Sequence, residues 1–119
     1  MRTMLLVLLV LLVSACSSAR TPYSGNPEQA EQIDLEVVNL NFNQATLYTI
    51  RFSERRRLGA VPGKGTQNFR IPWESSAPLR VEIQILSGGS CVTREMTADP
   101  GDAIYLEVAS NLVSDPDCT

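Results

Sequence analysis

The stretch "LRVEIQIL" (residues 79–86) puts Leu79, Val81, Ile83 and Ile85 on one side of an extended chain and Arg80, Glu82 and Gln84 on the other. A period of two with one apolar face is the pattern of a strand that covers a core on one side and meets water on the other. "AIYLEVA" (103–109) repeats it, with Ile104, Leu106 and Val108 inward and Tyr105 and Glu107 outward. "IDLEVVNL" (33–40) begins by alternating and then becomes apolar on both faces, as a more central strand does. "ATLYTIRF" (45–52) is rich in β-branched and aromatic residues, and Tyr48, Ile50 and Phe52 are its expected core face. "RRRLGAV" (55–61), "QNFRI" (67–71) and "CVTREMT" (91–97) bring the count to about seven strands.

Turn chemistry separates these segments every eight to twelve residues, the rhythm of an all-β sandwich or barrel. "NFNQ" (41–44) and "SE" (53–54) are expected to join hairpins. "PGKG" (62–65) and "SGGS" (87–90) are expected to supply positive-φ glycines, and "DPGD" (99–102) is a turn with Pro and Gly in favoured places. No segment carries a helical apolar stripe; "PEQAEQ" (27–32) has the propensity but no apolar face. The expectation is an all-β chain, an antiparallel β-sandwich of immunoglobulin-like or transthyretin-like type over residues 33–119.

The 119 residues suffice for one such domain. Hydrophobic content is 44%, but the first thirteen residues inflate it. Without residues 1–15, whose only charge is Arg2, nine basic residues face thirteen acidic ones, a net charge near −4. That balance argues against a nucleic-acid partner, which needs a basic face for phosphates. There is no histidine, so the commonest general base and transition-metal ligand is missing. Ser-His-Asp and Cys-His catalysis are thereby excluded. A Ser-Lys dyad would have to use Lys64, the sole lysine, in a glycine-flanked turn. "GAVPGKGT" (59–66) departs from a phosphate-binding loop: three residues separate Gly59 from Gly63, Gly65 follows Lys64, and no helix opens behind it. Asp99, Asp102, Asp115 and Asp117 lie in turn-like stretches where Asp caps backbone amides; a loose calcium site is the alternative reading. Neither an enzyme nor a cofactor is expected.

The N-terminus has a different character. Arg2 precedes "MLLVLLVLLV" (4–13), a ten-residue apolar run that is too short to span a bilayer and of signal-peptide length. Val13-Ser14-Ala15-Cys16 then resembles the lipobox of bacterial lipoproteins, an aliphatic and two small residues before a cysteine. The resemblance covers residues 1–16. It implies cleavage after Ala15 and a diacylglycerol thioether on Cys16, with residues 1–15 as signal peptide. Each buried methylene contributes about 0.8 kcal/mol, so two or three acyl chains anchor firmly. Ser17, where inner-membrane retention favours Asp, points to the outer membrane, facing the periplasm. Residues 16–32 read as a lipidated flexible linker; the polar sixteen from Ser17 have a reach of about 20–25 Å. Lipidation of Cys16 leaves Cys91 and Cys118, an even pair in an oxidising compartment, which favours a disulfide. A hairpin of 91–97 with 103–109 would bring them together.

Two features bear on binding. Arg55 and Arg57 in "ERRRLG" (54–59) share one strand face. They read either as charges guarding an edge strand or as a site for anionic headgroups or an acidic partner. Trp73, the only tryptophan, reads either as a plug closing the sandwich or as an exposed platform for a glycan or small ligand. The expected function is that of a non-enzymatic, membrane-tethered envelope module that binds, assists or supports a protein partner, with an envelope assembly or secretion complex as its expected setting. Ligand binding through Trp73 and its loops is the alternative.

Overall fold

The computed structural model describes residues 31–118. They form β1 (Gln32–Asn39), β2 (Ala45–Arg51), β3 (Glu54–Val61), β4 (Thr66–Pro72), β5 (Ala77–Ile85), β6 (Ser90–Val92), β7 (Met96–Ala98) and β8 (Ala103–Val108), then a 3-10 turn at Leu112–Ser114. Strands β4-β1-β8 make one sheet, and β3-β2-β5-β6 the other, with β7 also pairing with β5. The described residues form an all-β sandwich. The cleavage segment, Cys16 and the linker as far as residue 30 lie outside the described residues, as does Thr119.

β5 behaves as its sequence dictates. Leu79, Val81, Ile83 and Ile85 are buried and alternate with half-buried polar neighbours. β1 supplies the opposing row: Ile33, Leu35, Val37 and Asn39 are fully buried. It is the centre of its sheet, antiparallel to β4 and parallel to β8. Sandwich closure comes from Val61, Ile71, Trp73, Cys91, Ala98, Leu106 and Val108, all in one continuous core.

Several connections differ from expectation. Only β2–β3 and β5–β6 are hairpins of adjacent paired strands; the chain changes sheet after β1, β3, β4 and β7. Each change lets a strand with one apolar face meet its opposite number across the core. Residues 91–97 and 103–109 therefore do not pair with each other. The first strand breaks into β6 and β7, both on β5, while β8 joins β1. Glu82 faces Val92 and Leu79 faces Met96, so three residues, Thr93–Glu95, oppose two on β5. This is a β-bulge. Buried Thr93 stabilises it: its amide donates to the Val81 carbonyl at 2.9 Å, and its hydroxyl accepts from the Val81 amide at 2.9 Å.

The face of β2 is also the reverse of the expected one. Ala45, Leu47 and Thr49 point inward, while Tyr48 and Ile50 lie half-buried on the outside. Register decides this, because Leu47 and Thr49 sit opposite Ile83 and Val81 of β5 and must share their face. Phe52 lies past the strand end, 67% exposed, at φ 52° in the turn. In "PGKG" the left-handed residue is Lys64, φ 59°, whose ammonium donates to the Leu40 carbonyl and lies over Phe42. Gly63 is required for space: a Cβ there would collide with the Phe42 carbonyl. "SGGS" does use Gly88 and Gly89 at positive φ, and "DPGD" does so at Gly101.

Two polar or covalent devices fasten this scaffold. The Asn39 amide nitrogen faces the carbonyls of Asn43, Val61 and Pro62 at 2.9, 3.2 and 3.1 Å, and its oxygen accepts from the Asn41 amide at 2.9 Å. One buried side chain thus joins the end of β1 to the end of β3 on the other sheet. Cys91 and Cys118 form a disulfide with Cα atoms 5.4 Å apart. The expected hairpin does not bring them together. Instead the C-terminal segment returns to the bulge, with Thr93 bridged to Cys118 and the Arg94 amide bonded to the Asp117 carbonyl at 3.1 Å.

The disulfide closes a sequence separation of 27 residues, so Cys91→Ser with Cys118→Ser should lower unfolding free energy by about 3.5 kcal/mol on the chain-entropy argument. Urea titration with and without reductant measures it. Asn39→Asp should destabilise more than Asn39→Ala at pH 7, because it turns a carboxylate toward three carbonyls. That burial raises the folded pKa of the new carboxyl above its unfolded value, so the excess loss should shrink as pH falls toward about 4. An equal loss for both variants at pH 7 would contradict this account of Asn39.

Candidate functional site

The arginine-rich start of β3 lies along β2 in the register Tyr48–Arg57, Thr49–Arg56 and Ile50–Arg55. Arg55 and Arg57 therefore share the outer face, as their spacing indicates, and Arg56 takes the other. Phe69 packs at Gly59, where a Cβ would lie 3.0 Å from its ring. The pairing also slips by one residue between Leu47 and Tyr48. These features place the arginines beyond the well-covered part of the core, where all three are exposed.

Most of this charge is already matched within the fold. Arg55 reaches diagonally over the Tyr48 ring, 3.6 Å from its centroid, and bonds both carboxylate oxygens of Glu82 on β5 at 2.6 and 3.3 Å. Its guanidinium pKa is raised, first by that hydrogen bond. The same bond, followed by one from the Gln84 amide, holds the Glu82 carboxyl below its ordinary value. Arg56 pairs with Glu54 at 3.1 Å. Arg57 has no hydrogen-bond or ion-pair partner among the described residues. The two predicted site arginines thus differ: Arg55 is locked into a clamp across three strands, whereas the Arg57 guanidinium, on the edge strand, is unpaired among the described residues.

Trp73 follows β4 and is 2% exposed. Its amide donates to the Glu31 carbonyl at 2.7 Å, and its indole N–H donates to the Ala98 carbonyl of β7 at 2.9 Å. It ties one sheet to the other at the end where β1 begins. The Arg51 guanidinium lies 4.6 Å from the ring centroid and donates to the Ser75 hydroxyl at 3.3 Å. Trp73 is a plug, and its ring has no open face on which a glycan could stack. A small cleft lined by Thr49, Arg51, Glu54, Arg56, Ile71, Pro72 and Trp73 opens beside it. Arg55, Arg57 and Trp73 consequently do not form one constellation.

The turn aspartates are occupied locally. Asp102 accepts from the Asp99 amide at 2.8 Å, Asp99 accepts from the Ser76 hydroxyl, and Asp115 accepts from the Asp117 amide at 2.9 Å. Among the described residues no group of three or more His, Cys, Asp or Glu could hold a metal ion. Arg51 is a contributor the sequence reading missed; as the residue before Phe52 on the inward row of β2, its position is its only signal.

No protein-family model matches this chain, and no curated protein or solved structure gives a significant match.

Because Glu82 is held ionised by Arg55, the stability this pair contributes is present above the unfolded carboxylate pKa and is lost as pH falls through the lower folded value. Arg55→Ala should move the Glu82 pKa up toward the ordinary range, read by NMR titration of its carboxyl carbon. An unmoved titration would show that the clamp is absent in solution.

Proposed function

We propose that this chain is a bacterial envelope lipoprotein, anchored through a lipid on Cys16, whose sandwich serves as a non-enzymatic binding, accessory or structural module. The carrying observation is the sequence "MLLVLLVLLVSAC" (4–16), in which a signal-length apolar run ends in a lipobox. The outer membrane, with the domain facing the periplasm, is the proposed address, and a protein of an envelope assembly the proposed partner. The Cys91–Cys118 disulfide supports an oxidising compartment and leaves Cys16 outside that pair. β1 begins at the end of the sandwich occupied by Trp73 and the 99–102 turn, where the Gly101 amide bonds the Gln32 carbonyl at 2.7 Å. A tether entering there would leave the faces and far end of the sandwich clear for a partner. The burial of Trp73 weighs against the alternative of small-ligand or glycan binding through Trp73 and its loops.

Mass spectrometry of the protein purified from membranes should find a mature chain beginning at an acylated Cys16. Cys16→Ser should shift most of the protein from the membrane pellet to the soluble fraction. A mature chain with an unmodified Cys16, or a Cys16→Ser protein that sediments like wild type, would overturn the anchorage.

A further inference from the structure

Four strand edges border the two sheets, and three are guarded. β3 carries Arg55, Arg56 and Arg57 and a register slip. β4 holds Arg70 and ends on Pro72. The β6–β7 edge is broken by the Thr93–Glu95 bulge and covered in part by the C-terminal segment through Thr93–Cys118 and Arg94–Asp117. Charges, prolines, bulges and covering segments are how sheets prevent another chain from adding to an edge. Among the described residues β8 has the weakest guard, a single carboxylate at Glu107. Its six residues, "AIYLEV", run without a bulge, a proline or a cation, and among the described residues β1 is its only neighbour in the sheet.

The hydrogen-bonding groups of that edge can be assigned. In the parallel ladder the Asp34 amide bonds the Asp102 carbonyl and the Leu40 amide bonds the Val108 carbonyl, each at 2.9 Å. Even-numbered residues of β8 thus bond to β1, and Ala103, Tyr105 and Glu107 turn their N–H and C=O groups to the open side. All three residues are exposed, Tyr105 at 59%. Beside the edge runs a groove of about 370 Å³ lined by Thr93, Arg94, Met96, Leu106 and Asp117 together with Tyr105 and Glu107.

Charge indicates what would add there. On the outer face Tyr105 lies between Glu107 on its own strand and Glu36, its register partner on β1. Its hydroxyl donates to Glu107 at 3.2 Å. The phenol titrates above its ordinary value, through partial desolvation first and then the hydrogen bond and charge of Glu107 and the charge of Glu36. Asp34 is offset by Arg70 at 3.7 Å, but Glu36 and Glu107 meet no cation among the described residues. A second copy pairing through this edge would bring further carboxylates to an already acidic face.

We propose that β8 is a docking edge, and that its occupant is an extended segment of a partner protein carrying Lys or Arg at alternate positions. The segment continues the sheet by main-chain hydrogen bonds to Ala103, Tyr105 and Glu107. Its basic side chains lie by Glu36 and Glu107, and its intervening apolar side chains enter the groove beside Leu106 and Met96. The inference gives a chemistry to the partner in the reading above but does not require the lipid on Cys16, so the two can fail separately.

The test is fluorescence anisotropy of labelled octapeptides with the full-length, detergent-solubilised protein. An octapeptide alternating Lys and Val should bind, and one alternating Glu and Val should bind at least tenfold more weakly. Tyr105→Pro removes an outward N–H while sparing the ladder to β1, and should weaken the Lys/Val peptide tenfold or more. Glu36→Lys with Glu107→Lys should reverse the preference between peptides. If Tyr105→Pro fails to fold by circular dichroism, the Lys/Val peptide N-methylated at alternate residues replaces it, and should lose binding to the wild-type protein. No binding of either peptide, equal binding of both, or indifference to Tyr105→Pro or to N-methylation overturns the proposal. So does a concentration-dependent dimer abolished by Tyr105→Pro, which would assign the edge to a second copy.

Discussion

The structure depends on the position of β1. Among the described residues it is the only strand whose four inward side chains are all fully buried, and it is paired on both sides, antiparallel to β4 and parallel to β8. A strand so enclosed must satisfy every backbone group through its neighbours. The parallel partner has a topological consequence, since parallel neighbours cannot be joined by a tight turn. β8 has to arrive from the far sheet, and the 99–102 turn delivers it there. The same demand explains why β7 remains on β5 and why the chain changes sheet so often. Asn39 completes the enclosure by offering its amide to three carbonyls at the place where β1 ends and the opposite sheet closes.

Much of this was legible in the sequence, for identifiable reasons. Strands with one apolar face, such as β5 and β8, declare both their existence and their orientation. The extent of β1 and the turns at 87–90 and 99–102 were legible for similar reasons. The face of β2 was not, because it has apolar or β-branched residues on both sides; Tyr48 and Ile50 look as core-like as Leu47 and Thr49 until β5 sets the register. Sheet membership was illegible too, since a short turn serves a hairpin and a change of sheet equally well. The Cys91–Cys118 pairing was expected from cysteine arithmetic, yet its geometry comes from a bulge that a run such as "CVTREMT" does not advertise.

The candidate site shows the same division. Spacing correctly put Arg55 and Arg57 on one face, but it could not reveal that Glu82, two strands away, would claim Arg55. Trp73 was ambiguous because a tryptophan between prolines suits either a plug or a platform, and the Ala98 carbonyl that accepts its indole lies 25 residues on. Across the sandwich the charges have separated. The outer face of one sheet carries Arg55 and Arg57, with Arg55 balanced by Glu82, while the opposite face beside β8 carries Glu36 and Glu107, which meet no cation among the described residues. Net charge alone conceals that polarity.

The orientation of β1 also governs how the domain would bear a load. Under the proposed anchorage, tension from the membrane enters at Gln32 and runs along the strand, across whose axis lie the hydrogen bonds to β4 and β8. Such a pull must slide the whole ladder at once instead of opening it rung by rung. β8 lies within the covalent loop closed by Cys91 and Cys118, so it cannot be drawn out from its C-terminal end. A partner seated on β8 and a lipid on Cys16 would then grip neighbouring strands in shear, an arrangement suited to holding two envelope components together under strain.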